Sequence, residues 1–336
     1  METNPITVAD VTNLRACLIP DTPILILVDP MLGEPLRFDT PDGADIQAAR
    51  AAMWERPVMP ITLSPRVKLP PHQHPYLVEL EGISDPLLEA TLEIAQDERL
   101  HTQADGLDGE GAAAHRIGGW LQSSLHLSEL AEHLSGMLQV NTEARANATY
   151  LRLVDRRVLA LLRYVVGDTL VAQSFGRLQN WVYLDAQGQV STLNTMGEIS
   201  SPLRLDHDQW ARMQTGETVN RTLALWLSEA RRRGGDDIRN APAQALYAPL
   251  FNAVARAMQA AKIWPHRFQQ PLDQSVWAAL LLLDPAVEHS DTVVKLLKNT
   301  SSLDDPSGPA EPLRFLHHQI TAHLSETKRP QYSSAQ

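Results

Sequence analysis

The stretch Thr149-Tyr150-Leu151-Arg152-Leu153-Val154-Asp155-Arg156-Arg157-Val158-Leu159-Ala160-Leu161-Leu162-Arg163-Tyr164-Val165-Val166 changes period half-way along. Its first half alternates, with Tyr150, Arg152 and Val154 on one side and Leu151, Leu153 and Asp155 on the other, which predicts a strand. In its second half Val158, Leu161, Leu162 and Val165 recur at helical spacing. Asp155 stands at the change, where a carboxylate can accept from the free amides of a first helical turn. Gly167 follows as the stop. An Arg among the apolar neighbours of a strand needs a carboxylate or a solvated edge, so a structural ion pair is expected, Arg152 or Arg157 with Asp155 or a distant acid.

Upstream, Leu127, Leu130, Ala131, Leu134, Met137 and Leu138 form a helical stripe. His115 to Ser123 is strand-like around Gly118-Gly119-Trp120-Leu121, and His101 to Gly111 is polar and glycine-rich, a loop. Asp85-Pro86 opens a helix that buries Leu87, Leu88, Thr91, Leu92 and Ala95. Val58 to Leu63 and Tyr76 to Leu80 are strand candidates around a proline-rich loop. Asp45 to Glu55 reads as a helix with Ile46, Ala49, Ala52 and Met53 inward. Ile24-Leu25-Ile26-Leu27-Val28 is a continuous apolar run, expected to be a strand buried on both faces and ended by Asp29-Pro30. Thr7 to Leu18 has helical spacing.

Downstream, Trp181 lies in a strand, Asp185 to Gly188 reads as a turn, and Val190 to Leu193 as the returning strand. Past Pro202 strands are expected to cease and helices to follow one another to Leu324, with a linker over Ser301 to Pro312. The fold class read from this order is α+β. A mixed lobe with a small sheet is expected over residues 1–200, an all-α lobe over 201–330 and a frayed tail over 331–336.

Composition narrows the function. The net charge of −11 argues against a nucleic-acid binder, which needs a basic face. The single cysteine, Cys17, excludes an intramolecular disulfide framework, fits a reducing cytoplasm, and is expected as a small buried hydrophobe. The longest apolar run, Val276 to Leu283, is too short to cross a membrane, and the first residues lack the order of a signal peptide. The chain is therefore expected to be cytoplasmic, with neither a nucleic acid nor a membrane as partner.

Candidate chemistry is sparse. His72 and His74 can share one side of an extended segment and offer two zinc ligands, the basis of an alternative reading as a metal-dependent hydrolase, but no third ligand is near in sequence. Asp206-His207-Asp208 is explained by a helix cap. His318 and His323 are five apart and share no helical face. Asp105 to Gly111 lacks the closing glutamate of a calcium loop. Ser123 and Ser124 near His126 are sequence neighbours, which rarely form a working dyad. No phosphate loop and no nucleophile elbow is present. The chain is read as a non-enzyme without cofactor or metal. Trp120, Trp181, Trp210 and Trp226 are partner anchors if exposed and core if buried.

The opening stretch resembles the signature of the effector chaperones, or adaptors, of bacterial type VI secretion, a family long catalogued as a domain of unknown function. Its hallmark has the form Leu-Arg-aromatic-x-Asp-Pro-Arg-Val-Leu. Leu151, Arg152, Asp155, Arg157, Val158 and Leu159 match; Leu153 stands in place of the aromatic and Arg156 in place of the proline. An arginine in that first turn is expected to cost little. The flanking order is also similar: a first strand ending at Asp29, Tyr76-Leu77-Val78, a Trp120 strand, His133-Leu134, then Phe175-Gly176, Trp181 and a hairpin. The resemblance implies a protein that holds a secreted effector, often by the effector's N-terminal region, and helps load it onto the VgrG spike. Arg152, Asp155 and Arg157, with Trp120 and Trp181, are the positions it singles out, as braces of the fold or as contacts to the partner.

Overall fold

The computed structural model describes residues 10–36, 45–104, 115–143, 145–195, 202–232, 238, 241–299 and 310–327. Their contacts form two units, one within Met1–Ala104 and Ala112–Gly216, the other from Glu217 onward. In chain order the first unit holds α1 (Val11–Ala16), β1 (Ile24–Val28), α2 (Ile46–Trp54), β2 (Val58–Pro60), β3 (Tyr76–Glu79), α3 (Pro86–Ala104) and β4 (Ile117–Gln122). It continues with α4 (Leu127–Met137), β5 (Gln139–Thr142), β6 (Arg145–Tyr150), α5 (Arg156–Val166) and α6 (Asp168–Phe175). β7 (Asn180–Leu184), β8 (Val190–Asn194), β9 (Arg204–Leu205) and α7 (His207–Gln214) complete it.

The main sheet has the order β2-β3-β1-β4-β7-β8, and each of its pairings is antiparallel. β1 lies inside it with all five residues buried, which is why its sequence is apolar without alternation. Ile24, Ile26 and Val28 join one core with Trp54, Tyr76, Val78, Leu88, Leu92 and Trp120. On the opposite face a cross-strand row runs Leu25, Leu121, Trp181, Leu193, all buried. α3 supplies the first core through Leu88, Leu92 and Ala95, the face expected from the sequence.

Several expectations are corrected. The strand read as far as Asp155 ends at Tyr150. Leu151 to Asp155 instead form a turn, in which the Leu153 and Asp155 amides donate to the Leu151 and Arg152 carbonyls at 2.7 and 3.0 Å. β5 and α6 were not expected; β5 pairs with both β6 and β9, so one short strand follows Pro202. α2 buries Arg50 and Trp54, while Ile46, Ala49 and Met53 are half-buried and Ala52 is exposed. α3 runs through His101 to Ala104, the first part of the expected loop; the rest of that loop, most of the 301–312 linker and the 331–336 tail lie outside the described residues.

The second unit is helical. It contains α8 (Gly216–Arg232), α9 (Ala243–Ile263), α10 (Pro271–Leu283), α11 (Asp291–Lys298) and α12 (Leu313–Thr327). α10 is its most buried helix, with Trp277 set edge-on to Phe268 at 6.4 Å. The buried Arg267 donates to the Glu311 and Asn299 carbonyls at 2.6 and 2.8 Å and satisfies backbone where α11 ends and α12 is about to begin.

Candidate functional site

The Leu151–Asp155 turn is seated against β4 because Gly118 has no side chain. A Cβ there would stand 2.4 Å from the Val154 carbonyl oxygen. Gly118 is also the extra residue where the β1–β4 register shifts between Leu27 and Val28, a bulge that bends the strand under the turn. Gly119 has φ of 135° and admits the Val182 carbonyl and the Trp181 indole in the same way.

That seat brings the hallmark charges onto the end of β1. Arg152 donates from Nε to Asp29 at 2.5 Å, and Asp29 also accepts from the Met31 amide at 3.0 Å. Asp155 caps α5 by accepting from the Arg157 amide at 3.0 Å, and its carboxylate binds the Arg157 side chain at 2.7 Å. Arg152 Nη1 lies 4.0 Å from the same carboxylate. The ion pair expected from the sequence is thus two linked pairs, and the distant acid is Asp29. Burial alone would raise the Asp155 pKa, but Arg157, by charge and hydrogen bond, holds it well below the usual carboxylate range. Asp29 goes the other way, raised by burial that Arg152 only partly offsets.

Arg156, where the hallmark has proline, is buried. It donates to the Ala95 and Ile117 carbonyls at 2.5 and 3.2 Å and lies 3.7 Å from Glu98. Burial brings its pKa down to about 10, against the opposing pull of Glu98 and Asp155, so it stays charged at neutral pH. Glu98 also accepts from the Arg116 amide and side chain at 2.9 and 3.2 Å. The buried His115 is held neutral, its pKa far below the ordinary value, first by burial and then by the positive charges of Arg156 and Arg157.

A further buried group continues from Arg116, which donates to the Glu34 carbonyl at 3.0 Å. The Glu34 carboxylate accepts from Arg50 at 2.6 Å and from the Tyr76 hydroxyl at 2.6 Å, and Arg50 also donates to the His72 carbonyl at 2.6 Å. Sequence reasoning missed Arg50, Glu34 and Glu98. Their signal was a charge on the apolar face of a helix or beside a strand end, which looks the same as a solvated charge until the partner is placed.

Trp120 and Trp181 are wholly buried and separate from this cluster. The Trp120 indole donates to Thr91 Oγ1 at 3.0 Å, and the Trp181 indole to the Gly118 carbonyl at 3.2 Å. Trp226 is buried in the second unit and Trp210 is half-buried. His72 is exposed on a single 3-10 turn, and His74 Nε2 lies 3.1 Å from the Leu69 carbonyl. Among the described residues no three His, Cys, Asp or Glu side chains lie close enough to hold a metal ion. Asp206 caps α7 through a reciprocal capping box with Gln209, as the cluster there was read. Cys17 is half-buried, packed against the first core. Among the described residues no single helix is long and apolar enough to cross a membrane.

Residues 71–169 match a family described as Domain of unknown function (DUF4123). That family is associated with the effector-adaptor role in type VI secretion. The matched segment holds Trp120, Glu98, Arg116 and the whole hallmark turn, whereas Asp29, Glu34, Arg50 and Trp181 lie outside it. Comparison with curated proteins and with solved structures finds no match.

Proposed function

We propose that this chain is a non-enzymatic adaptor that binds a secreted effector of a type VI system in the cytoplasm and helps load it onto the VgrG spike. The observation that carries the proposal is the family match over residues 71–169, which includes the turn where Leu151, Arg152, Asp155, Arg157, Val158 and Leu159 match the hallmark while Leu153 and Arg156 depart from it. The arrangement of those residues supports a bracing role. Arg152, Asp155 and Arg157 are engaged with Asp29 and with each other, and together they fasten α5 to the sheet. In this reading the hallmark shapes the unit that offers the binding surface. An effector carries apolar, partly unfolded surface before it is loaded, and a binder of that surface lowers its aggregation.

The test is co-expression of the tagged chain with the proteins encoded beside it. A stoichiometric complex with a toxin-like protein, with or without a spike protein, is the expected result. Purification of the chain alone from its own host under secreting conditions overturns the proposal.

A further inference from the structure

The two outer strands of the main sheet differ in what they leave open. On β2 the bonds Glu79 N–H to the Pro57 carbonyl and Ile61 N–H to the Pro75 carbonyl place the odd residues toward β3. Val58 and Pro60 therefore face outward, and Pro60 has no N–H to offer. The Ser135 hydroxyl donates to the Thr62 carbonyl just beyond, so α4 sits against this end of the sheet. An edge so blunted resists a further strand.

On β8 the bonds Asp185 N–H to the Gln189 carbonyl and Thr195 N–H to the Gln179 carbonyl set the same parity, with Gln189, Ser191, Leu193 and Thr195 turned toward β7. Val190, Thr192 and Asn194 turn their backbone N–H and C=O groups outward. Among the described residues these groups have no hydrogen-bond partner, and no proline or bulge interrupts the row. The side chains of β8 are already committed to the sheet, Val190 against the first core and Leu193 in the buried row under Trp181. What the edge offers is a line of backbone donors and acceptors at strand spacing, which is complementary to another extended backbone.

We propose that the outer edge of β8 takes an extended segment of the effector as a seventh strand. This rests on the adaptor reading for the partner's identity. The surroundings also state a preference. Arg163 donates to Ser191 Oγ at 3.1 Å and pairs with Asp168 at 2.8 Å, and the Asp168 side chain is 58% exposed. Arg163 binds both oxygens of the Asp168 carboxylate, at 2.8 and 2.9 Å, so the group beside Ser191 is a paired guanidinium, and the charge a segment along β8 meets is that of a chain of net charge −11. A segment with β-branched residues and basic side chains suits that acidic chain, and an acidic one does not.

Thr192→Pro isolates this edge, because the N–H it removes points away from β7 and no bond within the sheet is lost. Thr192→Val keeps that N–H and serves as the control. The probe is the toxin-like protein encoded beside this chain, bound to the full chain and followed by affinity and by amide hydrogen exchange. The expected result is at least tenfold weaker binding for Thr192→Pro with unchanged thermal unfolding, wild-type binding for Thr192→Val, and slowed exchange at Val190, Thr192 and Asn194 in the complex. A complex that forms equally well with Thr192→Pro, or leaves those amides unprotected, overturns the edge while sparing the adaptor reading. Concentration-dependent self-association that protects the same amides assigns the edge to a second copy and overturns the effector as its occupant. A chain that captures none of the toxins encoded beside it overturns the adaptor reading, and this inference with it.

Discussion

Arg152 donates from Nε to Asp29 across 2.5 Å, joining the turn before α5 to the end of β1, 123 residues earlier in the chain. Removing one member strands the other. Asp29→Ala leaves a guanidinium only 20% exposed without its nearest carboxylate, with Asp155 still 4.0 Å away. A loss of about 2–4 kcal/mol is expected, toward the low side because Arg152 keeps some solvent. The double variant Asp29→Leu/Arg152→Met should be more stable than Asp29→Ala alone, since neither charge remains to be left unpaired. Urea unfolding of wild type, Asp29→Leu, Arg152→Met and the double variant gives the coupling. A double variant whose loss equals the sum of the single losses means the pair is idle.

Asp155 carries its stability through ionisation. Its folded pKa is depressed because Arg157 outweighs the effect of burial, so its contribution is complete above the ordinary aspartate value near 3.9 and is lost as pH falls below that value toward the folded one. Asp155→Asn keeps an oxygen for the cap but not the charge. It should be less stable than wild type by about 1–3 kcal/mol at pH 7, and the gap should close progressively below about pH 4. Unfolding curves between pH 7 and 2 decide this; a gap independent of pH assigns the loss to cap geometry instead.

His115 gives a separate window. Burial, and then Arg156 and Arg157, depress its folded pKa, so the stability it contributes is present above the ordinary histidine value near 6.5 and is lost as pH drops through that value. The wild type should lose up to about 1.4 kcal/mol per pH unit below pH 6.5 that His115→Gln does not. Equal slopes for the two proteins between pH 7 and 5 exclude the effect.

The parts of this site that are local in sequence were legible. Asp155 at a change of period and Gly167 at its end framed α5, because a cap and a stop act on residues within one turn. Leu151 to Asp155 was misread because five residues of alternating type fit a strand, while the two hydrogen bonds that close the turn leave no trace in the pattern. Arg50 was not among the residues read as inward on its helix; Glu34, Tyr76 and the His72 carbonyl make its burial affordable, and none of them is on its helix. β5 is four residues long, and its sequence Gln-Val-Asn-Thr is too short and too polar to announce a strand.

Two glycines separate close approach from propensity. Gly118→Ala places a methyl 2.4 Å from the Val154 backbone carbonyl, with the Val154 and Leu27 side chains at 3.2 and 3.3 Å, so the hallmark turn must lift from β4 at an expected cost of about 2–4 kcal/mol. Gly136 lies near the end of α4 with nothing within 4 Å of its added methyl, and Gly136→Ala should stabilise by about 0.5–1 kcal/mol. Thermal unfolding of both variants reads the contrast. A Gly118→Ala protein as stable as wild type means the turn does not need that seat.

Arg156→Pro restores the residue the hallmark has at this position, and it tests whether this chain has built its core around the exception. Proline suits a first helical turn, and from sequence alone an arginine there looks like a cheap replacement. In the structure Arg156 is buried, holds the Ala95 and Ile117 carbonyls, and faces Glu98 at 3.7 Å. Taking it away removes a donor from two buried carbonyls and leaves a buried carboxylate, already raised in pKa by its burial, without one of its cations, Arg116 remaining at 3.2 Å. The expected loss for Arg156→Pro is about 3 kcal/mol or more despite the better match to the hallmark. Adding Glu98→Gln should recover part of it by removing the charge that is no longer balanced. Chemical unfolding of the single and double variants measures both steps, and a neutral or stabilising Arg156→Pro means that the turn and its cap, rather than the Arg156 contacts, hold α5 to the sheet.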